Sequence, residues 1–269
     1  MPRVTLDRSL TYRRHLESLR KKLTSRVALL RRLAGSGWSA GATTLRTATI
    51  ALVHATAEYC APVWCRSAHT RLIDSTINDA LRIVTGCLRP TPADNLPILA
   101  GIQPAELRCN GATVSSTPPC HGVWTSAPLC AHPSIECRCT APQIETPICT
   151  ALWADHQWNT EWLENTTRPR IFIPDTGTHP LEWLSQRAWI AWVRLNRLRT
   201  GVGRFRSCLY KWSMASSATC ECGAEEQTVD HVVLPCPIHR PPHGTHDLIV
   251  LDDETIEWLL KVSCGQAVI

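Results

Sequence analysis

No stretch of this 269-residue chain approaches the roughly 18 consecutive apolar residues that a membrane-spanning helix requires, so a membrane is not an expected partner. The first residues, MPRVTLDRSLTYRR, lack the apolar core of a secretory signal. The expected setting is therefore cytoplasmic or nuclear, not secreted, and disulfides are not expected from the 14 cysteines. In that setting their thiols stay reduced or bind a metal. Acidic residues are also missing where they matter. Residues 187–213 carry 7 Lys/Arg and no Asp or Glu.

Charge is distributed in blocks. Residues 1–110 hold 16 Lys/Arg against 7 Asp/Glu, whereas the chain from 214 onward holds 2 against 9. Two basic blocks set against acidic ones suggest contact with a polyanion at defined places, although a basic run is also compatible with a solvated helix face. At this length the chain can bury one or two cores.

Periodicity predicts a mainly α-helical fold. Over Leu10–Leu33, the residues Leu16, Leu19, Leu23, Val27, Leu30 and Leu33 form one apolar stripe. Arg13, Arg14, Arg20, Lys21, Arg31 and Arg32 lie on the adjoining face, a cationic shoulder suited to a phosphate backbone. A second helix is expected over Thr43–Tyr59, capped by Thr43 or Thr44 and ended by Pro62. A third, over Ser67–Thr85, should bury Leu72, Ile73, Ile77, Ala80, Leu81 and Val84 and close at Gly86. Three helices with short links predict a small bundle over residues 1–108.

Residues 109–152 break the pattern. Six cysteines and many prolines fall between Cys109 and Cys149 with no sustained period. Cys130, His132, Cys137 and Cys139 could form a second zinc site, but Pro133 and the lack of flanking elements argue against it. A translated wrong frame is the preferred reading, and disorder or poor packing is expected. In the third region, 153–269, a helix is predicted over His179–Thr200. Its apolar stripe is Leu181, Leu184, Ala188, Ala191, Leu195 and Leu198, with Trp183, Trp189 and Trp192 as aromatic surface. Trp183 and Trp192 are expected in the core. Arg194, Arg197 and Arg199 load its last turn, and Arg204, Arg206 and Lys211 follow the Gly201–Gly203 turn. Arginines interleaved with aromatics suit single-stranded nucleic acid, although arginines in a last turn also cap carbonyls.

Cys220, Cys222, His231 and Cys236 have the spacing C-x-C-x8-H-x4-C. Zn²⁺ takes four tetrahedral N/S ligands, and a C-x-C pair followed by Gly223 can supply two thiolates from one tight turn. Thr228 would cap a short helix carrying His231, with Pro235 turning Cys236 back toward the metal. On spacing alone, three free thiols and a surface histidine remain an alternative.

The segment LNRLRTGVGRFRSCLYKW followed by CECGAEEQTVDHVVLPCP resembles the C-terminal region of non-LTR, LINE-type (jockey-like) retrotransposon reverse transcriptases. So does the first block, from VTLDRSLTYRRHLESLRKKLTSRVALLRRLAG to LPILAGIQPAELR, which resembles the thumb-like region that follows the polymerase palm. The resemblance implies a thumb-like bundle and a zinc-knuckle-like element with Cys220, Cys222, His231 and Cys236 as ligands. It also implies one Zn²⁺ and an RNA or DNA partner. The family's catalytic aromatic-x-Asp-Asp turn is absent, and Asp252–Asp253 precede a short helix over residues 254–260 instead. Two-metal nucleotidyl transfer needs clustered carboxylates, so the chain is not expected to be an enzyme. The resulting expectation is a non-catalytic fragment gripping template RNA or target DNA. A domesticated zinc-dependent protein-interaction module and a decayed relic remain as alternatives.

Overall fold

The computed structural model describes residues 4–35, 40–109, 189–242, 244 and 252–261, and all regular elements among them are helical. The irregular segment from 110 onward, the candidate ligands Cys130, His132, Cys137 and Cys139, and the first half of the helix expected from His179 (Trp183 included) lie outside the described residues. No helix among the described residues is long and apolar enough to cross a membrane.

Helix α1 runs from Arg13 to Gly35. It begins three residues later than its periodicity suggested, because Leu10 and Tyr12 take φ of 53° and 58°, which no right-handed helix contains. The Asp7 carboxylate holds this turn by accepting from the Thr11 amide at 2.7 Å and the Tyr12 amide at 3.3 Å. Leu16, Leu19, Leu23, Val27 and Leu30 are buried as the stripe predicts, whereas Leu33 remains 38 % exposed.

The second predicted helix is interrupted. Helix α2 (Ala42–Thr49) widens into a π-helical turn over Ile50–His54, then resumes as the single turn α3 (Ala55–Ala57). Gly41 precedes α2 and no side chain caps it, so the expected cap by Thr43 or Thr44 is not used. Nor does Pro62 end the segment. Cys60, left-handed at φ 56°, ends it, and Pro62 lies in the first turn of α4 (Ala61–Trp64), where a missing N–H costs little.

Helix α5 (Arg71–Thr85) lies along α1 and completes the bundle core. It buries Ile73, Ile77, Ala80, Leu81 and Val84, and Gly86 closes it at φ 69°. Helix α6 (Asn95–Ala100) follows, and its Gly101 carbonyl accepts from Arg46 Nη2 at 2.7 Å.

Helix α7 (Trp189–Thr200) is buried on two sides. One face, Ala191, Leu195 and Leu198, packs with Phe205, Val232, Val233 and Leu259 in a second core. These partners bring in α8 (Arg206–Lys211), α9 (Val229–Val233) and α10 (Asp253–Lys261). The other face meets the end of α5. Trp192 Nε1 donates to Val84 O at 3.3 Å, Asn196 Nδ2 to Thr85 O at 2.9 Å, and Arg197 Nε to Gly86 O at 3.3 Å. A helix leaves its last carbonyls without internal partners. Here a second helix, more than 100 residues away in sequence, supplies the donors.

Candidate metal centre

The Cys/His group is built on two short local structures. At its first end, Cys220 and Gly223 close a tight turn: the Gly223 amide donates to Cys220 O at 3.0 Å and the Cys220 amide to Ala224 O at 2.9 Å. Gly223 sits at φ 93°, where an L side chain would be strained. At its second end, the Thr228 hydroxyl accepts from the His231 amide at 3.2 Å and caps α9. Val232 and Val233 anchor that helix in the core, which leaves His231 facing the cysteines. The Cys236 amide donates to His231 O at 3.0 Å as the chain turns back.

These turns bring one ligand atom from each of Cys220, Cys222, His231 and Cys236 within 4.8 Å of one another. Cys220 Sγ lies 3.8 Å from Cys236 Sγ, and Cys222 Sγ lies 3.1 Å from His231 Nε2. Zn–S bonds of about 2.3 Å arranged tetrahedrally place sulfurs about 3.8 Å apart. The donor set and its spacing therefore fit a metal ion.

Sequence reasoning missed Gln227, which supports the group. It is fully buried. Its Nε2 donates to Cys220 Sγ at 3.5 Å, while its Oε1 accepts from the Arg206 amide at 3.0 Å. One side chain thus links a candidate ligand to the start of α8. Its sequence signals were its place beside the capping Thr228 and within CECGAEEQTVDHVVLPCP, the segment that carries the resemblance. Burial pushes the Cys220 thiol up, but hydrogen bonds from the Cys222 amide and thiol, Gln227 and His231 outweigh it and bring the thiol down to about 7. Burial raises Cys236. A thiol that ionises near neutrality is readily available as a thiolate ligand.

The basic residues separate into different environments. On α1, Arg13, Arg14, Arg20, Lys21, Arg31 and Arg32 are all exposed, and Arg13 pairs with Glu17 at 3.0 Å. In the segment that follows α7, Arg204 and Lys211 are exposed and Arg206 is half-buried, 3.4 Å from Glu221. The arginines near the end of α7 lie in three different surroundings. Arg199 is 2 % exposed and lies over the Trp192 ring at 6.0 Å, so it offers no guanidinium to an outside phosphate. Arg194 donates to the Leu259 and Leu260 carbonyls, joining α7 to α10. Arg197 is half-buried against Gly86. Trp192 is core, as expected. Asp252, one of the adjacent aspartates, accepts from the Thr255 amide at 2.7 Å at the start of α10.

No protein-family model and no solved structure matches the chain. Two curated proteins do. The retrovirus-related Pol polyprotein from type-1 retrotransposable element R1 4 of Nasonia vitripennis is 26 % identical over 242 residues, covering 87 % of this chain and 59 % of that protein. The 115 kDa protein in type-1 retrotransposable element R1DM of Drosophila melanogaster is 23 % identical over 248 residues, covering 88 % of this chain and 23 % of that protein. The chain thus spans less than two thirds of either relative. With only helices among its described regular elements and a gathered Cys/Cys/His/Cys group, the chain is similar, over most of its length, to proteins of R1 retrotransposable elements, a Pol polyprotein among them.

Proposed function

We propose that this chain is a non-catalytic, nucleic-acid-binding part of a retroelement polyprotein. A helical bundle over residues 1–108 and a Cys/His module over 153–269 grip RNA or DNA together, with a preference for single strands. Cys220, Cys222, His231 and Cys236 would hold one Zn²⁺, whose contribution is structural: it ties the C-x-C turn to α9. The carrying observation is the gathered Cys/Cys/His/Cys group, joined through Gln227 to half-buried Arg206, in a chain similar over most of its length to a Pol polyprotein. A turn held by a metal can fix side chains against unstacked bases, whereas the exposed row on α1 is a flat face that supplies sequence-blind, salt-sensitive affinity.

The test uses the full chain. Purified protein should carry about one zinc, and Cys222→Ser should release it and loosen the surrounding fold, because such modules derive most of their stability from the metal. Affinity for short RNA and single-stranded DNA, measured over a salt series, tests the partner. Replacing Arg13, Arg20 and Arg31 together by Gln should lower the salt slope by about two units, at about 0.7 for each phosphate on a single strand. Absence of binding at low salt would remove the nucleic-acid reading.

A further inference from the structure

The C-x-C turn carries an exposed carboxylate. Glu221 lies between Cys220 and Cys222, and its two oxygens have different neighbours. Oε1 is 3.4 Å from Arg206 Nη2, and Oε2 is 3.6 Å from His239 Nε2. Among the described residues no ion pair is recorded for Glu225 or Glu226, so Glu221 is the carboxylate of this loop that is flanked at both ends. Arg206 Nη2, Glu221 Oε1 and Glu221 Oε2 therefore form a row of one donor followed by two acceptors.

Main-chain bonds hold the two residues in one unit. The Gln227 amide donates to Ala218 O at 2.8 Å and pairs the two sides of the loop that carries Glu221. The Ser207 amide donates to Gln227 O at 3.3 Å, and the Arg206 amide to Gln227 Oε1 at 3.0 Å, which fastens the start of α8 to the same loop. Tyr210 stands one turn along α8 from Arg206, on the same face, with its ring exposed. A stacking surface thus accompanies the polar row.

Among the four bases of RNA, the Watson–Crick edge of guanine matches this row. Guanine presents O6, an acceptor, and then N1–H and the N2 amine, two donors side by side. The two donors can reach both oxygens of one carboxylate at once, while O6 meets the guanidinium. Adenine, cytosine and uracil each offer a single donor group beside an acceptor, and so set a lone pair against a carboxylate oxygen. Polar groups that lose water without gaining a partner are costly, so the row selects against those three bases.

We propose that Glu221, with Arg206 beside it, reads an unpaired guanine through its Watson–Crick edge. The assignment rests on the nucleic-acid reading, and adds to it a base preference and the residue that sets it. In this role Arg206 stays on Glu221. Neutralising a phosphate is its alternative use, and requires the pair to part.

The test uses the full chain and a short oligouridylate with one central guanosine, compared with the same strand carrying adenosine, cytidine or inosine there. The guanosine strand should bind about tenfold more tightly than the adenosine or cytidine strand. Inosine keeps O6 and N1–H but lacks the N2 amine, so its strand should fall in between. Glu221→Gln should erase the preference, while affinity for plain oligouridylate holds or rises, because a negative charge is removed and Arg206 is released to phosphate. If the variant keeps its zinc yet lowers both together, Glu221 is structural and the guanine edge is overturned. If the variant loses its zinc, Arg206→Met decides. It retains the amide that bonds Gln227, and its guanosine preference should fall several-fold; a full preference there overturns the edge. So does a Glu221→Gln chain with the wild-type preference. A wild type that binds every strand equally overturns the guanine edge and leaves the nucleic-acid reading standing, whereas one that binds none at low salt removes both.

Discussion

Gly86→Ala tests the joint between the two halves most directly. An ideal Cβ at Gly86 falls within 3 Å of three side-chain atoms of Val193, among them Cγ1 at 2.7 Å and Cβ at 2.9 Å. Two costs therefore add. Alanine in the left-handed region costs about 1–2 kcal/mol. Forcing a methyl into occupied space costs about 1–3 kcal/mol more. The sum, about 2–5 kcal/mol, is a large share of the ~5–15 kcal/mol that stabilises a typical domain. Urea unfolding should show a lower midpoint with the slope preserved. Val193→Ala removes both Cγ atoms but keeps Cβ, so in the double variant it should recover part of the packing cost and none of the backbone cost. A double-mutant cycle should give a favourable coupling of about 1–2 kcal/mol. If Gly86→Ala costs only the backbone share and shows no coupling to Val193, α7 does not pack on the end of α5 as described.

The metal group and the bundle each yield a further prediction. Gln227→Ala removes the donor to Cys220 Sγ and the acceptor for the Arg206 amide. Zinc affinity, measured against a competing chelator, should fall about 10–100-fold, and an unchanged affinity would show that Gln227 does not support the ligand. In the bundle, Glu58 accepts from Arg108 Nε and Nη2 and lies 3.3 Å from His54 Nδ1. Burial raises its carboxyl, but hydrogen bonds from His54 and Arg108 and their charges outweigh that and leave it below its ordinary 4.5. A lowered carboxylate contributes stability that is fully present above the unfolded value and is lost as pH falls through the folded one. The wild type should therefore weaken on acidification below about 4.5, and Glu58→Gln should be less stable near neutrality but flatter across that range. Parallel acid curves for the two proteins would contradict this.

Local signals in the sequence located the elements they control. The α1 stripe, the Gly86 stop and the Thr228 cap each depend on neighbours within one or two turns, and each lies where the residues indicate. The π-helical turn at Ile50–His54 was not legible. It changes the hydrogen-bond register without changing composition, and both Val53 and His54 are buried against tertiary neighbours. Helix α7 was half-legible. Its Ala191–Leu195–Leu198 face followed from spacing, but Trp192, Asn196 and Arg199 form a second buried stripe with two polar members. Trp192 and Asn196 bond to the end of α5, and the Asn196 bond to Thr85 spans 111 residues. In the Cys/His group the four ligand-type residues were evident from spacing, whereas Gln227 acts through contacts that spacing does not record.

The fate of the arginines limits what the charge pattern can mean. Residues 187–213 carry 7 basic side chains, and as bare sequence they promise up to seven phosphate contacts. Arg199 is buried, its Nε and Nη2 have no hydrogen-bond partner among the described residues, and burial brings it down to about 10. It remains charged at neutral pH while facing the protein interior. Arg194 holds the carbonyls at the end of α10. Of the described members, only Arg197, Arg204, Arg206 and Lys211 are left to face a strand, and Arg206 must first part from Glu221. Those four give a salt slope of at most about 3, rather than the roughly 4 that all six described members would give. Burial, more than net charge, sets how strongly this half of the chain can respond to salt.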